Sequence, residues 1–117
     1  MAKKVKTPSG FRKTVRLFSQ EWCIIYVDEP LSTTGDLGSS TGHLRKITLN
    51  VQQSRESMID TLIHEIAHSY LRMMPGTSEG WEFTDPERTE EAVIVLVTSL
   101  TVDLIRANRW IVDLVTT

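Results

Sequence analysis

The motif His-Glu-Ile-Ala-His at residues 64–68 constrains this 117-residue chain more than any other feature of its sequence. Apolar residues around the motif recur at helical spacing, and two histidines four positions apart on a helix lie on the same face. The imidazoles of His64 and His68 can therefore reach one metal ion, with the Glu65 carboxylate beside them. The chain has three histidines, and two of them belong to this motif. The sequence thus predicts a helix that carries a metal site.

The composition is that of a soluble globular domain, with 40% hydrophobic and 24% charged residues. We expect a single domain over residues 1–117, with residues 1–10 as a flexible basic arm. The net charge of −2 gives no overall attraction to nucleic acid or to a membrane surface, so neither is expected as a partner. No apolar stretch is long enough to span a bilayer, and no signal peptide is evident, which predicts a cytoplasmic protein. Cys23 is the single cysteine and is expected to be a small core residue.

The predicted fold class is α+β, with strands in the first half of the chain and helices in the second. Residues 22–27 are rich in β-branched and aromatic residues and predict a buried strand, whereas residues 44–49 alternate as a strand with one wet face does. Residues 32–42 are rich in Gly, Ser and Thr and predict a loop. Residues 11–20 alternate ambiguously, and a short helix is considered for them.

Two long helices are predicted after the strands. Ser54 is a suitable N-cap for the helix that carries the motif, and Pro75 with the glycine after it would end that helix. A loop over residues 76–85 follows. Asp85 and Pro86 predict the start of a last helix that runs to about Asn108.

A third metal ligand is expected on the last helix, because a catalytic zinc site normally takes three protein ligands. Polar residues are taken to mark the solvent face of that helix and apolar residues its inward face. These are Ser99, Asp103 and Arg106 on the solvent face, and Val93, Val97, Thr101 and Leu104 on the inward face. Counting back along the inward face leads to Glu90, which is the predicted ligand. Glu91, on a flank, is the alternative, and Glu87 lies in the first helical turn.

Residues 61–68, together with the strand before them and residues 89–93 after them, resemble the small zinc metallopeptidase-like proteins of phages and prophages. Those proteins are related in pattern to the gluzincin class and to antirepressor-type metallopeptidases, and the resemblance extends over residues 22–108. It implies a minimal zincin-like fold, in which a short, mostly antiparallel sheet packs on the metal helix and a second long helix delivers a glutamate ligand. It also implies one Zn²⁺ per chain on His64, His68 and Glu90 or Glu91.

The chain departs from the gluzincin pattern beyond the third ligand. Ile94 and Val95 occupy the positions four residues after the two candidate glutamates, where that pattern implies a carboxylate that orients a histidine. Asp60, one helical turn before His64, is the remaining candidate for this role.

The function predicted from these residues is zinc-dependent hydrolysis of peptide bonds. The metal would lower the pKa of a bound water toward about 7, and Glu65 would accept its proton as general base and pass it to the leaving amine. The substrate would be a protein or peptide, held by residues 44–49 if that strand forms the sheet edge. A phage-encoded protein would act in the cytoplasm of the host cell. Tyr70 is either a packing residue or a donor to an oxyanion.

The main alternative is a zinc-bearing binding or regulatory module of phage type with little or no peptidase activity. A fourth ligand at His43, otherwise expected to be a surface residue, would favour such a structural site. The glutamate within the motif argues against it, because a structural site does not need one. A weaker third possibility is a helical interaction domain in which the motif is accidental. A dimer contact near residues 110–114 is also considered.

Overall fold

A four-stranded mixed sheet and three α-helices make up the fold, so the predicted α+β class is confirmed. The computed structural model describes residues 5–28, 37–73 and 86–117. The strands are β1 (Thr14–Leu17), β2 (Gln20–Val27), β3 (Gly38–Thr41) and β4 (Lys46–Asn50), and the helices are α1 (Arg55–Met73), α2 (Pro86–Ala107) and α3 (Arg109–Thr116). The strand order is β1-β2-β4-β3; the outer pairings are antiparallel, and the central pairing of β2 with β4 is parallel.

The predicted start of the motif helix is confirmed in detail. The Ser54 hydroxyl accepts a hydrogen bond from the backbone N–H of Ser57 at 3.1 Å, so Ser54 is the N-cap of α1. The last helix also agrees with its predicted bounds from Pro86 onward, while residues 76–85 lie outside the described residues. No helix formed by the described residues combines the length and the apolar character that crossing a membrane requires.

The core lies between one face of the sheet and the helices. Leu62, Ile66 and Tyr70 of α1 are fully buried against alternate residues of the strands. The same alternation places Cys23 on the open face of the sheet, where it is exposed, so its predicted core position is wrong. Cys23 faces away because its neighbours Trp22 and Ile24 take the inward positions.

Residues 11–20 form no helix, which corrects the interpretation of that segment. They contain β1 and a two-residue turn in which Phe18 and Ser19 both have positive φ, at 50° and 61°. Positive φ at both positions fits the right-handed twist of a β-hairpin but is unfavourable for a bulky side chain. Two contacts with the helices stabilise Phe18 in this conformation. Its N–H donates to Asp103 at 3.0 Å, and its ring packs on Tyr70.

One of the two edge strands of the sheet is β3, which lies within the segment predicted as a loop. Its residues are small and polar and show no apolar alternation, so only its pairing with β4 identifies it as a strand. The strand considered for substrate binding if it formed the edge, residues 44–49, corresponds to β4, which lies between β2 and β3. That condition is not met.

The helix α2 is rotated about its axis from the predicted orientation. Leu96, Leu100 and Leu104 pack against the core, whereas Val93 and Val97 are 44% and 53% exposed. Asp103, predicted on the solvent face, points inward and accepts hydrogen bonds from Phe18 and Tyr70. The two hydrogen bonds to the partly buried carboxylate of Asp103 stabilise this orientation more than burial of Val93 and Val97 would stabilise the predicted one.

Both ends of the described chain pack against the rest of the fold. In α3, Trp110, Ile111 and Leu114 are buried in the chain's own core, so the dimer contact considered there is not supported. Near the start, the N–H of Val5 donates to the carbonyl of Tyr26, and the carbonyl of Ser9 accepts from Arg55.

Candidate metal centre

The two histidines of the motif lie one helical turn apart on α1 with their rings together. Nε2 of His64 is 3.0 Å from Nε2 of His68, and the ring centroids are 4.6 Å apart. Two nitrogens on one tetrahedral zinc, each at about 2.0–2.1 Å from it, would be about 3.3 Å apart. The pair is thus close to the spacing that one ion needs, without any change in the helix.

The carboxylate of Glu65 completes the group. Ligand atoms of His64, Glu65 and His68 all lie within 4.8 Å of one another, as the motif predicts. The Glu65 side chain is only 7% exposed, whereas His64 is exposed to solvent. A buried carboxylate is costly without positive charge nearby, which an ion on the two imidazoles would supply. The imidazole nitrogens of His64 and His68 are donors that suit zinc, so this pair fits the predicted metal, with the Glu65 carboxylate beside it.

The other candidate ligands lie elsewhere in the structure. Glu90 and Glu91 are exposed on α2, and neither belongs to the group of His64, Glu65 and His68. The inward face from which Glu90 was counted is not the face that α2 turns to the core, so the choice of Glu90 as third ligand, with Glu91 as the alternative, stays a prediction that the position of α2 does not support. His43 is exposed in a 3₁₀ turn and is also outside the group, while Asp60 is exposed on α1.

The edge strand β3 passes very close to α1. A Cβ built on Gly38 would lie 2.6 Å from Cγ2 of Thr61 and 3.2 Å from Cγ of Glu65. The strand can approach this closely only because position 38 has no side chain. Gly38 therefore sets the distance between β3 and the candidate metal centre.

Two serines connect β3 to the same helix. The Ser69 hydroxyl donates to the carbonyl of Glu65 at 2.9 Å, so the Ser40 hydroxyl is the donor in its 2.7 Å bond with Ser69. Arg72, one turn beyond His68, donates from Nη1 to the carbonyl of Ser40 at 2.8 Å. Sequence reasoning missed these residues; the one available signal was a serine on the apolar side of an otherwise amphipathic helix.

Tyr70 has a structural role rather than a position at the cluster. Its side chain is fully buried, and its hydroxyl donates to Asp103 of α2. Burial raises the pKa of Tyr70 well above its ordinary value, and the hydrogen bond and negative charge of Asp103 raise it further. The phenol is thus held protonated between two helices, and the packing interpretation is supported.

The two edges of the sheet differ in how their backbone groups are satisfied. At the β1 edge, Asn108 accepts from the N–H of Arg16 at 2.8 Å and donates to its carbonyl at 2.7 Å. At the β3 edge, the N–H of Asn50 donates to the carbonyl of Leu37. Because backbone groups alternate in direction along a strand, the N–H and carbonyl of the next residue point away from β4. The backbone groups of Gly38 and Ser40 therefore point away from β4, next to α1, at an edge that no other strand of the described residues covers.

Comparison with protein-family models, curated proteins and solved structures finds no match to this chain. The α+β fold and a His-Glu-His group that could hold a metal ion are the findings that the structure supports.

Proposed function

We propose that this chain is a zinc-dependent metallopeptidase. The observation that carries the proposal is the position of the group of His64, Glu65 and His68 beside β3, whose outer edge no other strand of the described residues covers. A metal centre next to an unpaired strand edge can act on a peptide that binds in extended form along that edge.

Three residues of α1 would bind the metal and transfer the proton. His64 and His68 would hold the zinc, together with the predicted third ligand Glu90. Bound zinc would supply the Lewis-acid chemistry that activates water and polarises a carbonyl. Glu65, buried beside the two imidazoles, would accept a proton from the attacking water and deliver it to the leaving amine.

The substrate would be a protein or peptide segment that pairs with β3. The outward N–H and carbonyl of Gly38 are placed for main-chain hydrogen bonds with an extended chain. The carbonyl of Ser40 also points outward, but Arg72 already occupies it. β3 thus replaces residues 44–49 as the proposed docking strand, because β4 is paired on both sides.

Glu65→Gln is the variant that tests this proposal most sharply. It keeps the size of the side chain but removes the base, so we expect loss of peptide hydrolysis by at least about 10²-fold with zinc content unchanged. Hydrolysis would be followed by mass spectrometry on a mixed peptide library, with zinc determined by elemental analysis.

Glu56→Gln is the matched control, because Glu56 is an exposed glutamate in the first turn of the same helix. This variant should retain full activity. Equal turnover by Glu65→Gln and wild-type protein would contradict the proposed mechanism.

A second candidate function is a zinc-bearing binding or regulatory module with little or no peptidase activity. The exposed apolar side chains of α2 favour it, since a surface of this kind suits a protein partner. The two functions differ in outcome: the module would hold zinc on His64 and His68 but cleave no peptide in the library.

A further inference from the structure

The side chain of Gln53 joins three elements that surround the candidate metal centre. Gln53 lies half-buried in the connection between β4 and α1. Its Nε2 donates to the carbonyl of Asn50 at 2.6 Å and to the carbonyl of Leu37, the residue before β3, at 3.3 Å. Its Oε1 accepts from the hydroxyl of Ser57 at 2.6 Å and from the hydroxyl of Thr61 at 3.0 Å. One amide thus bonds to the end of β4, the start of β3 and the first two turns of α1.

These four hydrogen bonds require an amide at position 53. Backbone carbonyls can only accept, so the end of the side chain that faces Leu37 and Asn50 must carry the NH₂ group. The oxygen then faces the two hydroxyls of α1. A carboxylate of the same size would lose both bonds to the sheet, and an apolar side chain would lose all four bonds.

The connection continues from Gln53 through Thr61 to Glu65. The Thr61 hydroxyl is shared between Gln53 and the carbonyl of Ser57, at 2.8 Å from the latter, which fixes the rotamer of this β-branched side chain. In that rotamer the methyl carbon Cγ2 of Thr61 is the nearest atom to the point where Gly38 would carry a Cβ, and Cγ of Glu65 is the next nearest. The spacing of β3 from Glu65 therefore depends on how Thr61 is held.

We infer that Gln53 is a positioning residue for the proposed peptidase. Through Thr61 it sets the distance between β3, the proposed docking strand, and the carboxylate of Glu65. This inference rests on the proposed function, because it assigns Gln53 a part in that reaction. The second link between β3 and α1 is the single hydroxyl pair of Ser40 and Ser69, which lies at the far end of the strand from Gly38.

Gln53→Met is the first test, because it keeps the length of the side chain and removes its four hydrogen bonds. We expect kcat per bound zinc to fall by about tenfold or more and KM to change by less than about twofold, since Glu65 is misplaced while β3 still binds the peptide. Gln52→Met is the matched control, because the Gln52 amide donates to Asp28 at 2.8 Å, away from β3 and α1. It should keep the wild-type kcat. Circular dichroism at the assay temperature shows that each variant is folded.

Two further variants test the route of the effect. Gln53→Glu can accept from Ser57 and Thr61 but cannot donate to the sheet, so its kcat should fall at least as far as that of Gln53→Met. Thr61→Val removes the hydroxyl and keeps the methyl groups. Because both positions act on one contact, adding Thr61→Val to Gln53→Met should lower kcat by less than about twofold more. Wild-type kcat in Gln53→Glu, or full additivity in the double variant, would contradict this route.

Amide hydrogen exchange of the metal-free chain gives a readout that needs no activity. The backbone N–H of Ser39 points toward β4, where Ser39 pairs with Thr48. Its exchange, followed by NMR, should be about tenfold or more faster in Gln53→Met than in Gln52→Met or wild type, because β3 opens more readily.

The two readouts separate this inference from the proposed function. A wild-type chain that cleaves no peptide contradicts the proposed function, and the exchange rates then decide alone whether Gln53 fixes β3 to α1. Equal exchange of Ser39 in the two methionine variants would overturn the inference whether or not the chain is active. In an active chain, so would a wild-type kcat in Gln53→Met.

Discussion

The backbone groups at the two edges of the sheet differ in their hydrogen-bond partners. At the β1 edge, the amide of Asn108 bonds to both backbone groups of Arg16 and so takes the place of a further strand. At the β3 edge, Gly38 and Ser40 direct backbone groups outward beside α1, and among the described residues the exposed Arg72 bonds to one of them, the Ser40 carbonyl. Open edges invite pairing with other chains, and proteins usually protect them. An edge that the described residues leave unpaired next to a His-Glu-His group therefore supports the proposal that a peptide binds there.

The β1 edge, which we call the closed edge, also contributes more to the stability of the fold. Asn108 is 2% exposed and separates α2 from α3, and it makes a third hydrogen bond, to the carbonyl of Asp103. The open edge contacts α1 through a glycine and a serine, which add little apolar burial. This contrast predicts that substitutions at the closed edge reduce stability, while substitutions at the open edge change activity and substrate affinity.

Asn108→Ala should have the largest effect on stability. It removes three hydrogen bonds and leaves two backbone groups of Arg16 without a partner in a partly buried position, so we expect a loss of about 3 kcal/mol in the free energy of unfolding. Urea denaturation would measure the loss. Asp113→Ala, at an exposed position on α3, is the control and should change stability by less than about 0.5 kcal/mol. Equal losses in the two variants would remove the distinction between the edges.

Gly38→Ala should have an intermediate effect at the open edge. The added methyl group would meet Thr61 and Glu65 at less than contact distance, so we expect a loss of about 1–3 kcal/mol. Displacement of Glu65 should also lower kcat/KM by about tenfold or more.

A second glycine provides the comparison for this variant. A Cβ on Gly42 would meet nothing within 4 Å, so Gly42→Ala should be close to wild type in denaturation and in peptide assays. If both variants behave alike, the close contact of β3 with α1 has no role in the site.

Arg72→Gln should have the smallest effect, visible only in substrate affinity. The arginine is exposed, so stability should change by less than about 0.5 kcal/mol. Removing it frees the Ser40 carbonyl for an incoming peptide, and KM should fall by about two- to fivefold with kcat unchanged.

Arg55→Gln is the matched control for this measurement, because Arg55 is an exposed arginine of α1 that donates to a backbone carbonyl away from β3. Its KM should equal the wild-type value. A higher KM in Arg72→Gln would mean that the arginine assists binding instead of competing with the peptide.

Local patterns in the sequence predicted α1 well, and long-range contacts explain the errors elsewhere. Helical periodicity and the Ser54 cap identified α1 and brought His64 and His68 together, because both depend on neighbours within one or two turns. In α2 apolar residues surround the helix, so periodicity could not choose its inward face. The contact that decides it joins Asp103 to Phe18, 85 residues away.

The strand β3 was missed for a related reason. Its small polar residues have no strand pattern of their own, and the strand forms because β4 and α1 provide its partners. The hairpin turn at Phe18 and Ser19 contains no glycine or asparagine, and tertiary contacts of Phe18 hold its unfavourable backbone conformation. Residues that position β3 over Glu65 are thus the part of the site that needed the structure.

The most direct test of the account is the zinc content of the chain, determined by elemental analysis of untagged wild-type, His64→Ala and His43→Ala proteins. We expect about one zinc per chain in the wild type and in His43→Ala, which changes the one histidine outside the group, and a loss of zinc in His64→Ala. No zinc in the wild-type chain after refolding with added metal, or the same content in His64→Ala, would contradict the account.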